Sequence, residues 1–246
     1  MTSLQRIDQY WAAFLGCSTA QLNTTKPIVF RTSRIKGIAA VKKRAWVIAL
    51  NDALPQHVGF DFIAIADDPD LNDADREDRL HRLCHNLHLA APYGPSILHY
   101  LGSGGLSQLA YEFESRVLSV DDEPILQAFK QKLAFSPEYT LTMPDLFPYA
   151  LGYFDKDTLV AVGTVRVWED LLAEVFIDTL DEYRAQGIGS CLAFNITQWI
   201  LNATSWIPQY DSEATNLASL TIAARLGFSP YGKFFVTGSG LMITTA

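Results

Sequence analysis

The clearest absence is of any apolar run long enough to span a membrane. The opening stretch "MTSLQRIDQYWAAFLGCS" is broken by Arg6 and Asp8, so it predicts no secretory signal. Cysteine is scarce. Cys17, Cys84 and Cys191 share no motif spacing and form no CxxC pair. An odd count without a secretory signal predicts reduced thiols in a cytoplasmic protein. No segment repeats at a solenoid period, and no tract is of low complexity. Positive charge is short in one half only. Residues 116–246 hold 8 Lys+Arg against 15 Asp+Glu, whereas residues 1–115 hold 11 against 12. That acidic excess argues against nucleic-acid binding and favours a cationic partner near any cleft. The plainer reading is a well-solvated surface.

With 246 residues and 49% hydrophobic content, there is enough material for a sizeable core and for two domains. A break in composition at "EFESRVLSVDDEP" places a boundary near Arg116. The expected domains are therefore 1–115 and 116–246, both mixed α/β. In the first, Leu4, Ile7, Trp11, Phe14 and Leu15 mark one helix face, behind a capping box of Thr2 and Gln5. "KPIVFRTS", "IAAVKKRAWVIALN" and "GFDFIAIAD" read as strands. "DADREDRLHRLCHNLHLAA" reads as a helix with Leu80, Leu83, Cys84 and Leu87 on one face. In the second domain a short strand and a helix over 123–133 precede consecutive antiparallel strands through "YALGYFDKDTLVAVGTVRVWEDLLAEVFIDT". A helix from Ile188 to about Leu201, with Ile188, Leu192, Ile196, Trp199 and Ile200 in one stripe, a short strand near Pro208–Tyr210, a helix over 217–226 and a hairpin turning at Gly238–Gly240 complete it.

The informative stretch is "DEYRAQGIGSCL", Asp181 to Leu192. Gly187 and Gly189 open a helix directly after a strand, although glycine costs up to about 1 kcal/mol there relative to alanine. Two causes compete: a turn that needs unusual backbone angles, or a ligand that must approach the backbone closely. The first amides of a helix have no intrahelical partner and the dipole favours negative charge, so a phosphate suits the second cause. Arg184 could add a charged contact. The stretch is not a P-loop, since no Gly-Lys-Ser/Thr follows. It is not a dinucleotide fingerprint either, since it lacks a third glycine and its preceding strands look antiparallel.

"EYRAQGIGSCL" after "EVFIDT" resembles the acyl-CoA signature of the GCN5-related N-acetyltransferases, Arg/Gln-x-x-Gly-x-Gly/Ala. "NLASLTIAARLGF" resembles that family's second block, in the right order and at a fitting spacing. The resemblance covers about residues 116–246. It implies a mixed, mostly antiparallel sheet flanked by helices, with acetyl-CoA as cosubstrate and no metal. It further implies that Ile177, Asp178 and Thr179 hold the pantetheine arm like an added strand. Amides of Arg184, Ala185, Gln186, Gly187, Ile188, Gly189 and Ser190 would hold the pyrophosphate, and Asn216 and Ser219 would meet the cofactor arm. Asn216 also suits a plain helix cap. The reaction implied is acetyl transfer to a primary amine of a small molecule. Glu174 and Glu213 are the candidate bases, although surface solvation would explain either one singly. One departure stands out. Many members carry a tyrosine, as acid for the leaving thiolate, where this chain has Ala223; Tyr210 and Tyr231 are near only in chain position. A non-catalytic acyl-CoA-binding module is therefore the alternative.

Other features carry less. "LGSGGLS", Leu101 to Ser107, could be a nucleotide loop of a methyltransferase but reads better as a connector. His81, His85 and His88 fall within about 60° on one helix face, yet no glutamate completes HExxH, so a solvated edge is expected. The basic run Arg31, Arg34, Lys36, Lys42, Lys43 and Arg44 is too diluted by apolar residues for a nucleic-acid patch. The first domain weakly resembles the N-terminal region of some two-domain acetyltransferases. Acetyl-CoA and a small amine are the expected partners, with no nucleic acid and no membrane. A homodimer is left open.

Overall fold

The computed structural model describes residues 1–110, 113–133 and 149–237. The chain divides into two compact units. One comprises Met1–Leu98, Ser212–Leu217 and the segment from Pro230 onward; the other comprises His99–Asp211 and Ala218–Ser229. The composition break at residues 112–122 falls inside the second unit. The hairpin expected at Gly238–Gly240 lies outside the described residues. Among the described residues no helix is long and apolar enough to cross a membrane.

In the first unit, helix α1 (Ser3–Leu15) begins on the expected capping box. Gln5 N donates to Thr2 Oγ1 at 3.2 Å and Thr2 N to Gln5 Oε1 at 2.8 Å, which satisfies two amides of the helix start. Ile7, Trp11, Phe14 and Leu15 are buried, whereas Leu4 is exposed. A short helix α2 (Thr19–Leu22) leads to strands β1 (Ile28–Thr32), β2 (Ile38–Lys42) and β3 (Trp46–Asn51). β1 runs parallel to β3 and β2 antiparallel to it. The stretch expected as a third strand, "GFDFIAIAD", is instead helix α3 (Val58–Ala66). Its buried residues Val58, Phe62 and Ala66 recur at a spacing of four, a helical rather than an alternating period. Helix α4 (Asp73–Asn86), capped by Asn72, buries Leu80 and Cys84. Burial pushes the Cys84 thiol up to about 12, so it stays protonated and apolar. His81 Nε2 lies 3.1 Å from Gly94 O, His85 and His88 are exposed, and no described cluster of His, Cys, Asp or Glu is set to hold a metal ion.

Strand β4 (Pro92–Leu101) carries residues of both units. In the second unit, β5 (Ser115–Val117) and helix α5 (Glu123–Lys132) precede β6 (Ala150–Asp155), β7 (Thr158–Trp168) and β8 (Leu172–Thr179). β5 to β8 pair antiparallel in sequence order. Lys156, Glu169 and Asp170 turn the two hairpins at positive φ, the angles that tight hairpin turns require. Helix α6 (Ile188–Ala203) then crosses to β9 (Ile207–Glu213), which pairs parallel with β8. A parallel return needs a crossover of this length, so the β8–α6–β9 passage breaks the antiparallel pattern. Helix α7 (Leu217–Arg225) and strand β10 (Phe228–Thr237) follow, and Lys233–Val236 of β10 pair antiparallel with β2.

The two faces of β7 and β8 are covered differently. Val160 and Val162 meet Leu126 and Phe129 of α5. Ala161, Val165, Ala173 and Val175 meet Ile188, Leu192, Ile196 and Ile200 of α6, the stripe expected from sequence. Its fifth member, Trp199, is only partly buried and stacks on Tyr149 at 4.1 Å between ring centres. Each fully buried Leu or Ile contributes roughly 1.5–3 kcal/mol. That packing fixes where the start of α6 stands against the end of β8.

Candidate functional site

The second unit contains a fork between two strands. β8 pairs with β7 along its whole length, from Leu172 to Thr179. With β9 it pairs only at Leu172–Ile207, Ala173–Pro208 and Glu174–Gln209. Beyond Glu174 the two parallel strands separate. Among the described residues, that edge of residues 175–179 has no strand partner, and the Thr179 carbonyl accepts from Arg184.

The start of α6 closes on the far end of the same edge. Its first intrahelical bond runs from Cys191 N to Gly187 O at 3.1 Å, so the amides of Ile188, Gly189 and Ser190 precede the helical ladder. The two glycines turn out to differ. Gly187 has φ +90°, a left-handed angle that a side chain resists. Gly189 has ordinary helical angles, and an added Cβ would find only ordinary contacts, 3.4 Å to Ile177 Cγ2, 3.5 Å to Ile222 Cδ1 and 3.6 Å to Thr179 Oγ1. The backbone therefore demands glycine at 187 and not at 189. Those neighbours also show where residue 189 faces: into the gap between the end of β8 and α7. Ala185 holds a second left-handed angle, φ +58°, in the loop leading in. Arg184 is committed to that loop, with Nε donating to Thr179 O at 3.1 Å and its guanidinium 3.0 Å from Asp181. Gln186 Nε2 donates to Glu182 O at 3.0 Å.

Glu174 stands where the fork begins and is 5% exposed. Its Oε2 accepts the indole N–H of Trp168 at 2.7 Å. Burial, then the charge of Asp211 on β9, push its carboxyl up to about 8, against the pull of the indole and of Arg166. Asp178, further along β8, is pushed up to about 6 by burial, with Arg184 pulling the other way. Glu213 is exposed at the end of β9, where its charge contributes to raising Glu77. Of the two carboxylates singled out from sequence, Glu174 is seated at the fork. Ser219 Oγ donates to the hydroxyl of Tyr210 at 3.2 Å, and Asn216 N donates to Glu213 O at 3.1 Å just before α7.

No family model matches the chain. Over 133 residues it is 28% identical to an uncharacterized N-acetyltransferase, YobR, of Bacillus subtilis (strain 168), covering 52% of each chain. It thus spans about half the length of that curated relative. Among solved structures it resembles an acetyltransferase of the GNAT family from Colwellia psychrerythraea, with a TM-score of 0.51, 19% identity, and 65% of this chain and 60% of that one covered. A GCN5-related N-acetyltransferase from Kribbella flavida aligns with a TM-score of 0.44 at 16% identity, over 64% of this chain and 63% of that one. This chain has the GCN5-related N-acetyltransferase fold.

Within that GNAT fold, the departure at Ala223 acquires a physical setting. Ala223 is fully buried and shares a core cluster with Tyr210, Leu226 and Phe228. Tyr210 is itself 3% exposed and stands one residue beyond the last β8–β9 pair. Its hydroxyl accepts from Ser219 of α7, one helical turn before Ala223. Burial raises its pKa, the bond from Ser219 lowers it and the charge of Asp178 raises it. Sequence placed Tyr210 near the motifs only by chain proximity. The alternation of β9, with Tyr210 and Gln209 on opposite faces, was the available signal. Tyr231, the other nearby tyrosine, donates to Asp8 at 2.7 Å in the first unit. The glycine cluster at 102–107 is clasped to the end of α7, with Gly102 N donating to Gly227 O and Ser107 N to Leu226 O, both at 3.0 Å. Those bonds account for it as a connector.

Proposed function

We propose that this chain is an acetyl-CoA-dependent N-acetyltransferase that acylates a primary amine of a small molecule by direct attack on the thioester, with residues 116–246 carrying the reaction. The supporting observation is the fork: an open strand edge that starts at a buried carboxyl and ends at the unbonded amides of a helix. Acetyl-CoA supplies an activated acyl group. Its shape suits the fork, since an extended arm can pair with Ile177, Asp178 and Thr179 while phosphates meet the amides of the 184–190 loop and helix start. Gly189 is a glycine its own backbone does not need, and in this reading it leaves room for that approach. Asn216 and Ser219 are the residues the family resemblance assigns to the arm.

Glu174 accepts the proton of the attacking amine in this reading. Its raised pKa makes it a stronger base once ionised, but leaves it mostly protonated at neutral pH. Glu213, being exposed, is the weaker candidate. The buried hydroxyl of Tyr210, held by Ser219, is the proton donor to the departing thiolate in place of a residue at position 223. A second reading, a module that binds acyl-CoA without turnover, is favoured only by the alanine at 223. An assay of thiol release and acetylated product over a panel of primary amines separates the two. Product with at least one amine is expected; acetyl-CoA binding without product from any amine would favour the module.

A further inference from the structure

Arg166 on β7 lies beside the fork and has no role in the chemistry above. It is exposed and sits directly across from Glu174 in the β7–β8 register. Opposite charges in that cross-strand position ordinarily pair. Here they do not. Glu174 takes the Trp168 indole N–H instead, and among the described residues Arg166 makes no hydrogen bond and no ion pair. Its guanidinium rests between two rings, 5.5 Å from the centre of Trp168 and 4.8 Å from that of Phe176. Two aromatic faces hold a cation without using its N–H donors. The result is a planar, five-donor fork, held in place and unspent, whose geometry matches a carboxylate in two parallel hydrogen bonds.

Cross-strand neighbours have their Cβ atoms only about 4.5–5.5 Å apart. An anion on Arg166 would thus stand a few bonds from an amine facing Glu174. We propose that the acceptor is an amino acid or amino-acid-like zwitterion, whose carboxylate docks on Arg166 while its amine faces Glu174. This rests on the acetyltransferase reading. It revises the expectation, from the acidic excess of residues 116–246, that the acceptor is purely cationic. Much of that excess, Asp155, Asp157, Glu169 and Asp170, lies exposed in the two hairpin turns, where solvent screens it. At the fork Glu174 is buried, whereas the Arg166 guanidinium is exposed to an incoming acceptor.

The test is steady-state kinetics at saturating acetyl-CoA with free amino acids, their neutral amides, the matching decarboxylated amines, and amines carrying a phosphate in place of the carboxylate. At least one amino acid should exceed its amide and its decarboxylated amine by about tenfold or more in kcat/KM, the scale of one charged hydrogen-bonded contact. Arg166→Ala should raise KM for that amino acid by a similar factor and remove its preference over the amide, with the calorimetric affinity for acetyl-CoA as in the parent. Arg166→Lys should recover part of the loss. A phosphate-bearing amine as the best substrate, again dependent on Arg166, would replace the carboxylate with another anion and overturn the amino-acid assignment. Amides or decarboxylated amines as good as the amino acid would overturn the inference and leave acetyl transfer standing. So would an Arg166→Ala effect that falls on acetyl-CoA or on every acceptor alike. Absence of product from every acceptor would overturn both readings together.

Discussion

Gly187 and Gly189 sit two residues apart and answer to different forces, so single substitutions should separate them. Alanine at 187 must adopt φ +90°, which costs roughly 1–2 kcal/mol for a residue with a Cβ. Gly187→Ala should therefore lower the melting temperature. Alanine at 189 meets only ordinary contacts and improves helix propensity, so Gly189→Ala should melt no lower than the parent, yet bind acetyl-CoA more weakly in calorimetry. Unchanged affinity would remove the reason offered for that glycine. Glu174 makes a prediction in pH. Its carboxyl titrates near 8 in the folded chain against 4.5 for the free group, so the folded state holds the proton more tightly. Its contribution to stability is full below about pH 4.5 and is lost as pH rises through 8. Activity should move oppositely, rising towards pH 8 as the base form appears. Glu174→Gln should abolish most of the activity and, at pH above 8, raise the melting temperature. Activity retained by Glu174→Gln with the same pH profile would assign the base elsewhere.

At the level of elements, α7 is held by its C-terminal turn. Gly227 has φ +88°, and a Cβ there would stand 2.6 Å from Gly105 O, a backbone atom that cannot swing away. Gly227→Ala should cost at least about 1–2 kcal/mol from the backbone angle alone, with the collision added, and urea denaturation should show it. The Leu-Gly-Phe block is thus explained by closure of a helix against the 102–107 loop. This also shows what sequence could and could not convey. The amphipathic stripe of α6 and the capping box of α1 were legible because each is a local pattern. "GFDFIAIAD" was misread because a short apolar run suits strand or helix, and tertiary burial of Val58, Phe62 and Ala66 decides between them. The signature block was legible as a glycine-opened helix after a strand, and Glu174 as a carboxylate on that strand. The fork itself was not, since where β9 leaves β8 is a matter of register between segments more than 30 residues apart. Neither were the Ser219–Tyr210 bond and the seating of Arg166, which depend on which faces of neighbouring strands meet.

At the level of the whole molecule, a ligand that binds only the folded state stabilises it by mass action. Acetyl-CoA at about 100 times its dissociation constant should add roughly 2.7 kcal/mol, read as a rise in melting temperature. No rise at millimolar acetyl-CoA would count against the cofactor assignment. The same mass action draws attention to the length of the open edge. From Glu174 to Thr179, at about 3.3 Å per residue, β8 offers roughly 16 Å between its buried carboxyl and the helix amides. That distance is a built-in gauge. A small anion can occupy one end and a small acyl donor the other, but only a molecule long enough to touch both gains the benefit of tethering, because its second contact becomes intramolecular. Selection by reach, rather than by the chemistry of either end alone, would follow from nothing more than the residue at which two strands part company.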